Sequence, residues 1–339
     1  MPSPAKFVPP FLDPNRPILR VLDNSTGELG AAPEEGFVAD LSHLGILTFA
    51  GDDAGSFLQS QLSCDVDAVL SKPISTFGSY CTPSGRMLAS FLLWQQEGVW
   101  YMVLSRSLLA STQKRLSMYV LRAKVRIFAP QDMVLLGVGG LAGEDALRNA
   151  LGVASAGPHS VQINEGLTAV GIPGQRCLLM VPATKAAEIW NSLSGHLRIV
   201  GTSAWELSDL HSGIPWITVD TQDQLVPQMA NLELIGGVSF KKGCYPGQEI
   251  VARTQHLGKV KRRMYLAHVP APAEAGAQLH SDDVGGQKNG MVVNAVPKSQ
   301  GGTDMLVVIQ SESAENSRVH LAAPDGPVLQ FMPLPYPMG

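Results

Sequence analysis

Apolar positions along this chain fall into short strand-length runs and longer stretches at helical spacing. Ile46-Leu47-Thr48-Phe49 reads as a strand. It runs through Ala50-Gly51-Asp52-Asp53-Ala54 into a helix pattern carried by Phe57, Leu58 and Leu62, with Asp52 or Asp53 as N-cap or first-turn acid. Val134 to Val138 is again a strand, followed by Ala142-Gly143-Glu144-Asp145-Ala146 and a helix through Leu147 and Leu151. Each copy continues with an apolar strand and a second helix: Trp100 to Leu104 then Leu108 to Tyr119, and Cys177 to Val181 then Ala186 to Leu193. The turn residues match at an offset of 92, Ala50 onto Ala142. A strand–helix–strands–helix unit repeated in this way predicts a duplicated α+β domain.

After Gly258 the pattern changes. The runs Met264 to Val269, Met291 to Val296, Met305 to Gln310 and Val319 to Ala322 are separated by Gly, Asp, Asn and Pro, with no helix pattern among them. This predicts an all-β domain, a small barrel. Seven prolines between Pro2 and Pro33 make the N-terminal stretch an extended arm. The organisation expected is α+β: an arm over 1–36, a first α+β half over 37–130, a second α+β domain over 131–257, and a β-barrel over 258–339.

Composition narrows the class. A length of 339 residues accommodates two or three domains. With 45% hydrophobic and 16% charged residues the chain can bury a core, which excludes a disordered protein. A net charge of -4 excludes a generic polyanion binder. The apolar run near Val134 to Ala142 falls short of the roughly 20 residues of a membrane span. No basic-then-apolar leader is visible at the N-terminus. Cys64, Cys81, Cys177 and Cys244 stand far apart, so neither a zinc ribbon nor a dithiol motif is expected, and no metal site is read. A reducing cytoplasm fits this cysteine usage.

Gly137-x-Gly139-x-x-Ala142 superficially matches a dinucleotide fingerprint. The equivalent turn Phe49-Ala50-Gly51 lacks the glycines and no ribose-binding acid follows, so these are read as turn residues. The strongest stretch is Phe240-Lys241-Lys242-Gly243-Cys244-Tyr245-Pro246-Gly247-Gln248-Glu249-Ile250. Two glycines and a proline around one cysteine predict a tight, shaped loop. Lys241, Lys242 and Arg253 would favour a Cys244 thiolate wherever they approach it. The residues alone leave open the other reading, a small apolar side chain packed under a turn. From Lys241 to Arg263 there are seven basic residues and one acid, Glu249, an excess of six positive charges that leaves -10 on the remainder of the chain. Such a segment is either a solvated linker or a patch for a polyanion, such as a glutamate-tailed cofactor or an RNA backbone. Trp205, in the helix before Gly213-Ile214-Pro215, is either core or a stacking surface for a flat heteroaromatic ring.

Gly213-Ile214-Pro215, Pro227-Gln228-x-x-Asn231-Leu232 and Gly237-Val238-Ser239-Phe240-Lys241-Lys242-Gly243-Cys244-Tyr245-x-Gly247-Gln248-Glu249 together resemble the YgfZ family. These are folate-binding, tRNA-modifying proteins related to the aminomethyltransferase (T-protein) of the glycine cleavage system. The resemblance runs from about Leu44 to Tyr336. It implies a cloverleaf of two α+β domains and a β-barrel around a tetrahydrofolate channel. It also implies a role in making or maintaining iron–sulfur enzymes, including those that thiolate tRNA.

Carried over residue by residue, the family's signature loop falls on Lys242, Gly243, Cys244, Tyr245, Gly247, Gln248 and Glu249, with Cys244 its functional thiol and Lys242 beside it. The family's folate tryptophan falls on Trp205. A second falls at Leu44, which cannot stack in the same way. The acid that holds the pterin in T-proteins is replaced by His211, whose protonated form cannot accept the pterin N–H bonds. Asp65, Gln248 and Arg253 complete the candidate cofactor-binding set. Cys64 stands where T-proteins place an asparagine. The Asp pair that T-proteins carry after a Ser-Gly turn is here Ala89-Ser90, following Ser84-Gly85-Arg86-Met87-Leu88. Without that carboxylate nothing evident orients an amine and tetrahydrofolate N5 for transfer. The leading expectation is a tetrahydrofolate-binding accessory protein for iron–sulfur enzymes and tRNA modification. The alternatives are folate-dependent aminomethyl transfer and direct tRNA contact through 241–263. No membrane partner is expected.

Overall fold

The computed structural model describes residues 36–70, 72–153, 157–256 and 260–338. The arm expected over 1–36 lies outside these residues apart from Gly36. Strands β1 (Phe37–Asp40) and β2 (Leu44–Ala50) precede helices α1 (Ala54–Gln61) and α2 (Asp67–Leu70). Strands β3 (Thr76–Cys81), β4 (Met87–Gln96) and β5 (Val99–Ser105) lead to α3 (Leu109–Ser117) and β6 (Arg126–Phe128). Then follow β7 (Met133–Gly139), α4 (Leu141–Leu151), β8 (Val161–Asn164), β9 (Leu167–Ile172), β10 (Arg176–Pro182), α5 (Ala183–Ser194), β11 (Arg198–Val200) and α6 (Thr202–His211). A long connection reaches α7 (Gln248–His256). The chain finishes with β12 (Arg262–Val269), β13 (Gln278–Ser281), β14 (Lys288–Pro297), β15 (Thr303–Gln310), α8 (Ser311–Asn316), β16 (Val319–Leu321) and β17 (Gln330–Met332).

The described residues form two compact units, one from 36–44 with 130–205, the other from 45–129 with 206–338. The first holds a six-stranded sheet in the order β11-β1-β7-β10-β9-β8. Its core gathers Leu136, Val138, Leu179, Val181, Trp190 and Leu193 between sheet and helices. Strand β1 pairs antiparallel with β7, Phe37 opposite Gly139, and parallel with β11, Phe37 opposite Arg198. The second unit holds a five-stranded sheet in the order β3-β4-β5-β2-β6. The two orders correspond: a meander of three strands (β3-β4-β5 and β8-β9-β10) lies beside the strand that opens its repeat (β2 and β7). The repeat at offset 92 is therefore present as topology.

Two sequence readings change here. Gly137 and Gly139 are not turn residues. They lie within β7, where a Cβ at Gly137 would run into the Trp205 indole and one at Gly139 into the Phe37 ring. They are small because large rings pack across the strand. Asp53 does occupy the N-cap position of α1, but its side chain makes no capping bond. Its Oδ2 accepts instead from the Lys124 backbone N–H at 2.7 Å.

The second unit also carries the C-terminal sheet, six antiparallel strands in the order β16-β13-β14-β15-β12-β17, with bulges at Leu279/His280 and Val292/Asn294. Ala267, Val292, Met305, Val307 and Ile309 fill its core. This region is not all-β, because α8 connects β15 to β16. The six residues of α8 are too few to show a helical period in the sequence. In the fold Ser313 is buried and Ala314 packs on the sheet core.

Candidate functional site

The segment before α7 is held by a platform far away in sequence. Ser63, fully buried, donates through Oγ to the Gly237 carbonyl at 2.7 Å, and its own carbonyl accepts from Ser239 N–H at 2.9 Å. Ser79 on β3 donates its backbone N–H to the same Ser63 hydroxyl at 2.8 Å. Lys242 then turns inward. It is 9% exposed, and its Nζ donates to the carbonyls of Leu62 (2.6 Å) and Cys64 (2.8 Å). Burial lowers the Lys242 pKa, opposed by the nearby Cys64, Asp65 and Asp67. The ammonium also sits 5.3 Å from the centre of the Tyr245 ring. Tyr245 is buried, its hydroxyl has no hydrogen-bond partner among the described residues, and burial raises its pKa. Lys242 is thus committed to two backbone carbonyls beside the loop.

With its neighbours tied down, Cys244 is left outside. It is the exposed cysteine; Cys64, Cys81 and Cys177 are buried, and burial pushes each of those thiols up to about 12. Only a thiol that reaches solvent at this loop can meet another molecule. Cys244 and Gly243 line a cleft of about 830 Å³. Its walls come from Gly51, Asp52, Gly55 and Gln59 at α1, Asp67 and Leu70 at α2, and Gln95, Gly98 and Trp100 of the β4–β5 hairpin. A Cβ at Gly243 would meet nothing within 4 Å, so its smallness leaves open space beside the thiol.

Two glycines set the far end of the loop. Gly247 has φ +85, and a Cβ there would lie 2.5 Å from the Thr82 carbonyl and 2.7 Å from Gly85 Cα. Gly85 itself has φ +76 in the turn between β3 and β4. Backbone packs on backbone, which only glycine permits at this distance. Gln248 opens α7, its N–H donating to the Tyr245 carbonyl at 3.1 Å, and Glu249 lies exposed in the first turn.

The remaining candidate residues are dispersed. Asp65 accepts from Gln59 Nε2 at 3.0 Å, and Arg253 is exposed on α7. Leu44 opens β2 and is buried. Trp205 is 2% exposed, with the Arg176 guanidinium 4.5 Å from its ring centre. His211, at the end of α6, places Nε2 2.9 Å from Asp304 Oδ2, while His268 Nδ1 lies 2.7 Å from Asp304 Oδ1. Burial by itself raises the Asp304 carboxyl, but the bonds with His211 and His268, with Lys298 nearby, outweigh it and hold it below the usual range. The basic segment is less available than its charge count implies. Lys242 is buried, and Arg263 pairs with Glu233. Lys241, Arg253 and Lys261 are exposed, and Lys259 lies outside the described residues.

The position of the missing acid is also occupied. Ser90 Oγ donates to the Pro215 carbonyl at 2.8 Å and accepts from Ile217 N–H at 2.9 Å, so it clamps the Gly-Ile-Pro segment to β4. Sequence reasoning missed Ser63 and Asp304. A lone serine carries no local signal for its role. Asp304 had none either: it stands just before the apolar run Met305 to Gln310, next to Gly301-Gly302-Thr303, where an acid reads as part of a turn.

No protein-family model matches the chain. Its sequence is 32% identical over 314 residues to a tRNA-modifying protein YgfZ of Vibrio vulnificus (strain CMCP6), covering 91% of this chain and 95% of that one. It is 31% identical over 297 residues to the protein of that name in Enterobacter sp. (strain 638), covering 86% and 90%. Its fold is similar to the glycine cleavage system aminomethyltransferase T of Bartonella henselae, with a TM-score of 0.74 at 17% identity over 88% of this chain and 85% of that one.

Proposed function

Since the chain belongs to the YgfZ family of tRNA-modifying proteins, we propose that it serves tRNA modification as an accessory protein whose working group is the Cys244 thiol. The observation that carries this reading is the exposure of Cys244 at the rim of a cleft, on a loop whose flanking residues are tied to the Leu62-Ser63-Cys64 platform. Its clients are iron–sulfur enzymes such as those that thiolate tRNA. One cysteine cannot hold a cluster, which takes about four ligands, so the thiol acts with groups of a client. The protein works in the reducing cytoplasm, where a lone exposed thiol stays free. The C-terminal sheet is the counterpart of a barrel domain, as the family resemblance implies.

Tetrahydrofolate is the ligand that the family resemblance implies, and the residues as placed do not fit it. Arg176 covers the Trp205 ring, Leu44 offers no aromatic face, and His211 is engaged with Asp304. Folate could stack on Trp205 only once Arg176 leaves the ring. Tetrahydrofolate should quench intrinsic fluorescence of the wild type and not of Trp205→Phe; equal quenching of both would remove Trp205 from the site. One-carbon transfer is the weaker reading, because the Ser90 hydroxyl that stands in place of the acid is consumed within the fold.

The thiol is tested by complementation. In a strain lacking its native gene, the wild-type chain should restore thiolated tRNA and Cys244→Ala should not. Melting temperatures should match, because exposed substitutions stay within about 0.5 kcal/mol. Full rescue by Cys244→Ala would exclude the thiol from the function.

A further inference from the structure

A second hollow, of about 190 Å³, lies in the second unit between α3, β3 and β4, away from the cleft at Cys244. Thr112 and Arg115 of α3 both line it. Thr112 is 2% exposed, and its hydroxyl is buried with no hydrogen-bond partner among the described residues. This is unusual for a hydroxyl inside a helix, which ordinarily bonds back to a carbonyl of its own helix. Ser111 and Ser117 of the same helix do so, to Leu108 O at 3.0 Å and Gln113 O at 2.8 Å. Leu108 O, the carbonyl four residues before Thr112, accepts from Ser111 and not from Thr112. One turn on, the Nε–H of Arg115 is likewise buried and without a partner. Residues three apart share a helix face, so both unmet groups border one space.

The surroundings select the sign of an occupant. Lys114 stands exposed at the mouth, and the Arg115 guanidinium lies beside the Tyr80 hydroxyl. Among the described residues no carboxylate lines the hollow. Arginine only donates, and a hydroxyl can donate, so the complement is a group with two acceptor oxygens and negative charge. Leu88 supplies an apolar wall. A hollow below the roughly 300 Å³ of ordinary ligand pockets excludes a nucleotide or a pterin. We propose that this hollow is a subsite for a compact oxyanion, the carboxylate or phosphate group of a small ligand, held by Thr112 Oγ and Arg115 Nε with Lys114 at the entrance. The site is independent of the function assigned to Cys244.

Calorimetric titration of the full chain with inorganic phosphate, and separately with succinate, tests it against chloride at equal ionic strength. Either anion should bind more tightly than chloride, and the better of the two identifies the group the site takes. Thr112→Val should weaken that binding about fivefold, since one hydrogen bond is lost, and Thr112→Ser should restore it. Arg115→Gln should weaken it about tenfold or more, since a charged donor is lost. Arg148→Gln, on an exposed helix face of the first unit, should leave it unchanged. The proposal is overturned by phosphate and succinate binding no better than chloride, which leaves only water in the hollow, or by Thr112→Val binding the anion as well as wild type.

Discussion

Lys242 shows how a residue's meaning depends on where its side chain goes. In the sequence it is one of several cations beside a cysteine, available to draw the thiol toward its ionised form. In the fold its ammonium is spent on the carbonyls of Leu62 and Cys64, which are 180 and 178 residues away. Replacing it with methionine keeps the aliphatic stem but leaves those carbonyls without this donor. The expected cost is about 2 kcal/mol, from desolvated acceptors losing a bond. Urea denaturation of Lys242→Met should read it, and the Cys244 loop should become more protease-sensitive in the same variant. Trp205 carries the opposite lesson. Its two sequence readings were core and stacking surface. Its burial under Arg176, opposite a glycine in β7, makes it core in this structure.

Among the elements, the signature loop is a bridge between a hairpin turn and a helix. Gly247 rests against the Thr82–Gly85 backbone, and α7 begins at the next residue. Gly247→Ala forces a left-handed residue with a side chain against a carbonyl oxygen. That should cost roughly 1–3 kcal/mol or shift the loop off the turn. A lower melting temperature together with altered accessibility of Cys244 to a thiol reagent would register it, and unchanged values for both would show that the loop does not depend on this contact. The loop's shape was legible, since glycine and proline act locally. Its partner turn was not, because nothing in Ser84-Gly85 announces which backbone will approach it. The glycines of β7 illustrate the same limit. Their chemistry points to freedom of φ, whereas the sheet uses their lack of a side chain.

At the level of the molecule, pH sums the buried groups. Cys64, Cys81 and Cys177 have pKa values raised to about 12, against about 8.5 in an unfolded chain. Below about 8.5 both states hold these protons. As pH rises further the unfolded state releases them first, so each thiol removes about 1.4 kcal/mol of stability per pH unit. Lys242 works in the other sense, because its lowered pKa lets the folded state lose the proton first and gain stability as pH climbs toward about 10.4. With three thiols against one lysine, denaturation midpoints should fall between pH 8.5 and 10. Cys64→Ala, Cys81→Ala and Cys177→Ala should each flatten that limb, and an unaltered slope in all three would contradict the burial of these thiols.

The spacing of apolar residues was sufficient to reveal the repeat, the strands and helices of each copy and the strand-rich C-terminal region, because periodicity records which face each short segment buries. The signature residues were sufficient to place the chain in its family. Which cysteine meets solvent, which lysine is buried and which hydroxyl holds the loop were settled by folding in three dimensions. Burial and hydrogen-bond satisfaction are properties of contacts between segments far apart in the chain, such as Ser63 with Gly237, His211 with Asp304 and Ser90 with Pro215. No local pattern encodes those pairings; they arise when the sheets close and each buried polar group must find its partner.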